Sequence, residues 1–304
     1  MANSLKTKVS VFICTYNRGE LINNTLKGII QEQTQLPDEI LVVNGGGEND
    51  CSETLAYWKT QFDGLREIKT QNVNLANSRN IGLPQCIGDI IIQTDDDAVP
   101  FPDFIEKHIK AHKNYPDAGV IGGDVVDASG DSLLFKVADA TTFPHYNTLT
   151  EVRTVPGVNS SYKKEVIKAV GHYDTTLFRG EDVDYNWRVI QEGWKVLFFP
   201  NIKVYHHHRA TWKGLFNQHY MYGRAYFLVR KKWQNMYCAY PRKINSPKMF
   251  LKGVFYWVQP FFDGYSKLKY VPGFLNKVVS YPIIVAIQYN WRKGVLDQIK
   301  ISKN

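Results

Sequence analysis

Four short apolar runs in the first hundred residues, at 9–14, 39–43, 66–70 and 89–94, alternate with helix-like stretches at 18–33, 52–62 and 77–86. β-Branched residues dominate the runs, as in strands buried on both faces. Such alternation predicts an α/β fold with a mostly parallel central sheet flanked by helices. Ligands on such sheets bind beyond the C-terminal strand ends. Tyr16-Asn17-Arg18, Asn44 and Asp95-Asp96-Asp97 all fall at those ends, so one rim collects the polar residues.

The aspartate triplet carries the sharpest chemistry. Adjacent carboxylates repel one another, and a hard divalent cation such as Mg²⁺ or Mn²⁺ relieves that cost. The plainer reading is an acidic turn leading into a helix expected at 102–114. Past residue 118 the pattern mixes. A strand is expected at 119–127, irregular chain with short strands at 131–155, and a turn at 155–159. Helices follow at 163–170 and 182–193, then two short strands at 195–199 and 203–207. With 44% hydrophobic and 22% charged residues, the chain is of ordinary globular composition. Cys14, Cys51, Cys86 and Cys238 are scattered without a CxxC pair and read as reduced thiols.

Charge divides the chain. Residues 1–200 carry 19 Lys and Arg against 27 Asp and Glu, whereas residues 201–304 carry 18 against 2. The tail is also aromatic, with a helix expected at 211–233 and apolar stretches at 249–262 and 281–291, which Pro260, Pro272 and Pro282 should break into short elements. Trp and Tyr among lysines suit an interfacial helix on anionic lipid; packing on the preceding domain or an oligomer interface are the other readings. No uninterrupted apolar stretch reaches the ~20 residues of a membrane span, and the N-terminus has no apolar leader core. The expected location is cytoplasmic, peripheral at the cytoplasmic face of a membrane. The tail has no nucleic-acid motif, so no nucleic-acid partner is expected.

The ordered stretches VSVFICTYNR (9–18), DEILVVNGGG (38–47), NLANSRNIGL (74–83), DIIIQTDDDAVP (89–100), VPGVNSSYKK (155–164), GHYDTTLFRGEDVDYNWR (171–188) and GWKVLFFPNIKVYHHH (193–208) resemble the inverting glycosyltransferases of family 2, over roughly residues 8–230. That resemblance implies the glycosyltransferase A fold, a Rossmann-like sheet. The catalytic domain would occupy 1–210, with a nucleotide-binding part at about 8–100 and an acceptor-binding part at about 101–210. A basic helical extension would fill 211–304 and associate with a membrane. The implied reaction moves a sugar from a nucleotide-diphosphate donor, UDP-sugars favoured, to an acceptor hydroxyl on a glycan or lipid-linked glycan, with Mn²⁺ or Mg²⁺ as cofactor.

Residue roles follow from the same resemblance. Asp97, Asp95 and His206 would serve the metal. Asp95 and Asp96 join Thr15, Tyr16, Arg18, Asn44 and Arg79 on the donor side, although Asp96 matches no defined role. Asn44 departs from the aspartate usual there, and an amide can both donate and accept. Asp182 would be the general base, with Glu181 orienting the acceptor; an aspartate opening a helix is also a natural N-cap. Gly157, Asn159 and Trp187 would line the acceptor pocket. The alternatives are a sugar-phosphate nucleotidyltransferase, whose Gly- and Arg-containing loop TYNRGE does not match, and a non-catalytic binding protein using its basic tail.

Overall fold

The computed structural model describes residues 7–236 and 247–303; Cys238 lies outside them. The chain forms two compact units, one running up to Val126 and resuming at His145–His207, the other comprising Asp127–Pro144 and the chain from His208 on.

The first unit is built on β1 (Val9–Thr15), β2 (Glu39–Asn44), β3 (Leu65–Lys69) and β4 (Ile90–Asp95), which pair in parallel in the order β3-β2-β1-β4. Helices α1 (Leu21–Ile30), α2 (Ser52–Lys59) and α3 (Leu75–Gly82) connect them. Val11, Phe12, Ile13 and the Ile91-Ile92 pair have no exposed surface, because helices cover both faces of these strands. Beyond β4 the pairing turns antiparallel. β5 (Ala98–Pro100), α4 (Phe104–Asn114) and β6 (Ala118–Asp127) follow in sequence. Next in this unit come β7 (Thr150–Glu151), β8 (Ser160–Lys163), α6 (Lys164–Val170), α7 (Glu181–Gln191) and β9 (Lys195–His206).

Strand order from β4 onward is β4-β8-β6-β9-β5, with β7 also on β9. A flat sheet would hold β4 and β5 four strand spacings apart, about 19 Å. Only Asp96 and Asp97 separate them in sequence, a reach of about 11 Å. The sheet therefore curls, and the aspartate triplet is the turn that closes the curl.

Several expectations are corrected here. Lys195–His206 is one long strand rather than two short ones. The stretch expected to be irregular contains α5 (Leu133–Thr142), capped by the Ser132 hydroxyl, and it belongs to the second unit. That unit also holds α8 (Trp212–Lys232), α9 (Pro247–Lys267) and α10 (Phe274–Ile301), around a core of Val137, Ala140, Leu215, Ile284 and Ile287. No described helix is long and apolar enough to cross a membrane.

Pro260 and Pro282 sit inside α9 and α10 rather than ending them. A helical proline leaves the carbonyl four residues back without its donor. For Pro260 that carbonyl belongs to Tyr256, and the Arg292 Nε of α10 donates to it at 2.9 Å. Helices α8 and α10 meet at glycines: a Cβ on Gly223 would lie 1.9 Å from the Trp291 oxygen, and one on Gly294 would lie 2.0 Å from that of Tyr220. Only hydrogen fits at either position.

Candidate active site

Parallel register assembles the rim. Thr15 lies beside Asn44 across β1 and β2, and Cys14 beside Asp95 across β1 and β4. The His206 side comes from the curl, since antiparallel pairing of β5 with β9 sets Ala98 opposite His206. His206 Nε2 is consequently 3.3 Å from Asp97 Oδ1, and one ligand atom each from Asp95, Asp97 and His206 falls within 4.8 Å of the others. Two carboxylates and an imidazole at that spacing form a suitable donor set for Mn²⁺ or Mg²⁺.

The three aspartates differ. Burial raises Asp95 to about 6, with Asp97 adding to the effect. Burial pushes Asp97 the same way, but the His206 hydrogen bond and the charges of His206 and Arg18 outweigh it and hold Asp97 below the usual carboxylate range. Asp96 turns inward. Its oxygens accept from Thr15 Oγ1 at 2.7 Å and Arg18 Nη1 at 3.0 Å, and its carbonyl accepts from Thr25 Oγ1 at 3.0 Å. Arg18 Nη1 also reaches Asp97 at 2.7 Å, spanning both carboxylates. Both ideas for the triplet thus meet in one turn: the middle residue ties it down while the outer two face His206.

Asn17 does not cap α1, which begins at Leu21 after Glu20. It sits in the left-handed region at φ 56°, which asparagine tolerates, and its backbone N–H donates to Gly46 while its side chain accepts from Asn49. These bonds join the loops after β1 and β2, leaving the neighbouring Tyr16 ring about half exposed.

Asn44 is buried and fully engaged. Its Nδ2 donates to Asp50 Oδ1 at 2.7 Å and Glu67 Oε1 at 2.8 Å, and its Oδ1 accepts from Gly46 N at 2.9 Å. The bond from Asn44 comes first among the causes that lower the Asp50 pKa. An aspartate at this position would face two carboxylates with nothing to donate, which accounts physically for the amide. Asp50 and Glu67 were missed in the sequence; the Asp50-Cys51-Ser52 turn into α2, where Ser52 N donates to Asp50, was the available signal.

Helix α7 brings Glu181 and Asp182. The N-cap is Gly180 in the left-handed conformation (φ 78°), so Asp182 lies in the first turn and does not cap the helix. Burial, and then the neighbouring Glu181 charge, raises Asp182 to about 6. Glu181 pairs with Arg79 Nη1 at 2.6 Å, both side chains buried, and the guanidinium lies over the Tyr173 ring at 5.2 Å. A Cβ on Gly157 would come within 2.8 Å of Arg79 Nη2, so the buried guanidinium requires glycine there. Asp184 and Arg188 form the helix-face pair at 3.1 Å.

The residues expected around an acceptor are dispersed. Gly157 accepts from Gln93 Nε2 beside Arg79. Asn159 has no exposed surface; its amide donates to the carbonyls of Asp124 and Ile202 and its oxygen meets His108 Nε2, which ties β6 to β9. Trp187 is half-buried, and its indole N–H has no hydrogen-bond partner among the described residues.

The sequence model of glycosyl transferase family 2 matches residues 10–171. The chain belongs to that family. It is 31% identical over 186 residues to a glucosyl-dolichyl phosphate glucuronosyltransferase of Haloferax volcanii, covering 58% of each chain. It is 24% identical over 199 residues to a poly-β-1,6-N-acetyl-D-glucosamine synthase of Staphylococcus aureus, covering 63% of this chain and 48% of that one. The chain thus spans about half the length of these curated relatives. Among solved structures, the mannosyltransferase PcManGT from Pyrobaculum calidifontis, in complex with GDP-Man and Mn²⁺, aligns over 97% of this chain and 88% of its own with a TM-score of 0.67 at 16% identity. GalNAc-T7 with UDP, GalNAc and Mn²⁺ covers 76% of this chain and 48% of its own, with a TM-score of 0.59 at 16% identity. The fold is that of the A-type glycosyltransferases.

Proposed function

We propose that this protein transfers a sugar, with inversion, from a nucleotide-diphosphate sugar to an acceptor hydroxyl. The observation that carries the reading is the Asp95–Asp97–His206 cluster on the rim where parallel α/β sheets bind ligands. Asp95, Asp97 and His206 would hold a Mn²⁺ or Mg²⁺ ion, which supplies Lewis-acid stabilisation of the departing diphosphate. Arg18 fixes Asp97 in place. Asp182 takes the acceptor proton, and a carboxyl raised to about 6 is well matched to that work near neutral pH. Glu181 and Arg79 orient each other beside it, with Gly157 and Trp187 toward the acceptor. Family membership favours this reading over nucleotidyl transfer.

The base of the donor is read around Asn44. Because its amide is engaged internally, we assign Asn44 to positioning Asp50 and Glu67, with Thr15 and Tyr16 completing the donor side. UDP-sugars remain the first choice. A lipid-linked acceptor is supported by the dolichyl-phosphate substrate in the Haloferax relative's name, and a peripheral membrane location by the basic, aromatic tail. A thermal-shift panel of UDP- and GDP-sugars with Mn²⁺ or with chelator tests the core of the proposal. Stabilisation by one nucleotide class, dependent on metal, is expected; no shift with any donor would remove the reading.

A further inference from the structure

Twelve of the twenty-five exposed large apolar side chains among the described residues lie between Leu251 and Val279, in α9 and the start of α10. On α9 they form a stripe: Leu251, Phe255, Val258, Phe262 and Tyr265 recur at helical spacing, with Phe262 63% and Tyr265 74% exposed. The opposite stripe, including Tyr256, Pro260 and Gly264, is buried. A helix apolar on both sides is ordinarily covered on both sides. Phe274 and Leu275, 79% and 77% exposed, extend the apolar surface onto α10.

Charge selects what covers it. Residues 247–279 hold five lysines and one aspartate, and Lys252 in α9 and Lys269 just past its end are exposed. Protein interfaces are depleted in lysine at their centres and favour no net sign, whereas aromatic side chains bordered by lysine match the acyl–headgroup boundary of an anionic bilayer. Neither helix can span that bilayer. We infer that the Leu251–Tyr265 face of α9, with Phe274 and Leu275 of α10, lies in the surface of an anionic membrane as a monotopic anchor. This deepens the peripheral-membrane reading above by assigning it to one surface, and the α8 helix is not part of it.

The test is co-sedimentation of the full chain with phosphatidylcholine vesicles, with and without phosphatidylglycerol. Intact protein should bind the anionic vesicles, and raising salt should weaken the binding. The variant F255D/F262D/L275D should lose about tenfold or more of it while keeping its helical circular dichroism. Brominated acyl chains should also quench Trp257 in the intact protein, read as the difference from Trp257→Phe; no quenching overturns the proposal without relying on the triple variant. Unchanged binding by that variant overturns it too. So does a concentration-dependent dimer, abolished by the variant, with no vesicle capture, because a second copy would then cover the face. The Mn²⁺-dependent donor shift is read on the same samples. Loss of vesicle binding with that shift intact rejects the anchor alone, whereas vesicle binding without the shift leaves the anchor standing and rejects the catalytic reading.

Discussion

The two units handle solvent in opposite ways. At the rim of the first, charge is drawn inward: Asp96, Glu181 and Arg79 are buried, each matched by a partner within 3.0 Å. In the second, apolar rings are turned outward along α9. Burying a charge is costly unless it is paired, so these three groups are held by partners within the unit itself. Leaving rings in water is costly until another apolar phase meets them, and the proposed anchor would complete the second unit's surface from outside. One region pairs its buried charges internally, whereas the other leaves apolar surface uncovered.

The largest effects are expected at the proposed base and metal ligands. Asp182→Asn should reduce transfer by about 10²–10⁴-fold while keeping the metal-dependent donor shift. Asp97→Asn should weaken both, and a donor shift lost in the first variant would refute the division of roles. Arg79→Ala should destabilise the first unit by about 3–5 kcal/mol by leaving Glu181 buried and unpaired. Thermal melts of the variant against the intact protein should show that loss.

Milder changes sharpen the contrast. Transfer by the intact protein should fall as pH drops through about 6, since a protonated Asp182 cannot accept the acceptor's proton. A rate that stays flat down to pH 5 would exclude Asp182 as the base. Asn44→Asp sets a third carboxylate against Asp50 and Glu67 and should cost about 1–3 kcal/mol in urea unfolding. In the second unit, Arg292→Met leaves the Tyr256 carbonyl without its donor beside Pro260, for a similar loss of about 1–3 kcal/mol. If that variant unfolds without loss, α9 does not depend on the side chain that lets it pass through proline.

Much of this architecture was legible beforehand because its signals are local. β-Branched runs marked the parallel strands, and the polar residues closing them marked the rim. The aspartate triplet stood out by its place at a strand end, whereas the choice of Asp95 and Asp97 within it rested on the family resemblance. Helix α5 was missed because its apolar side packs in the helical unit, which no local pattern between residues 131 and 155 announces. The proline-containing helices were cut short because Arg292, which repairs α9, lies 32 residues beyond Pro260 in the chain.

The amino-acid sequence by itself determined the alternating α/β plan, the family, and which strand ends carry carboxylates, since periodicity and motif order act over short range. Only the tertiary structure decided which groups meet. The curl of the sheet brings His206 to Asp97 through the pairing of β5 with β9, the Asn44 amide is taken up by Asp50 and Glu67, and Asp182 stands free of the cap position. Those outcomes depend on contacts between residues far apart in the chain, whose geometry exists only once the sheet has closed.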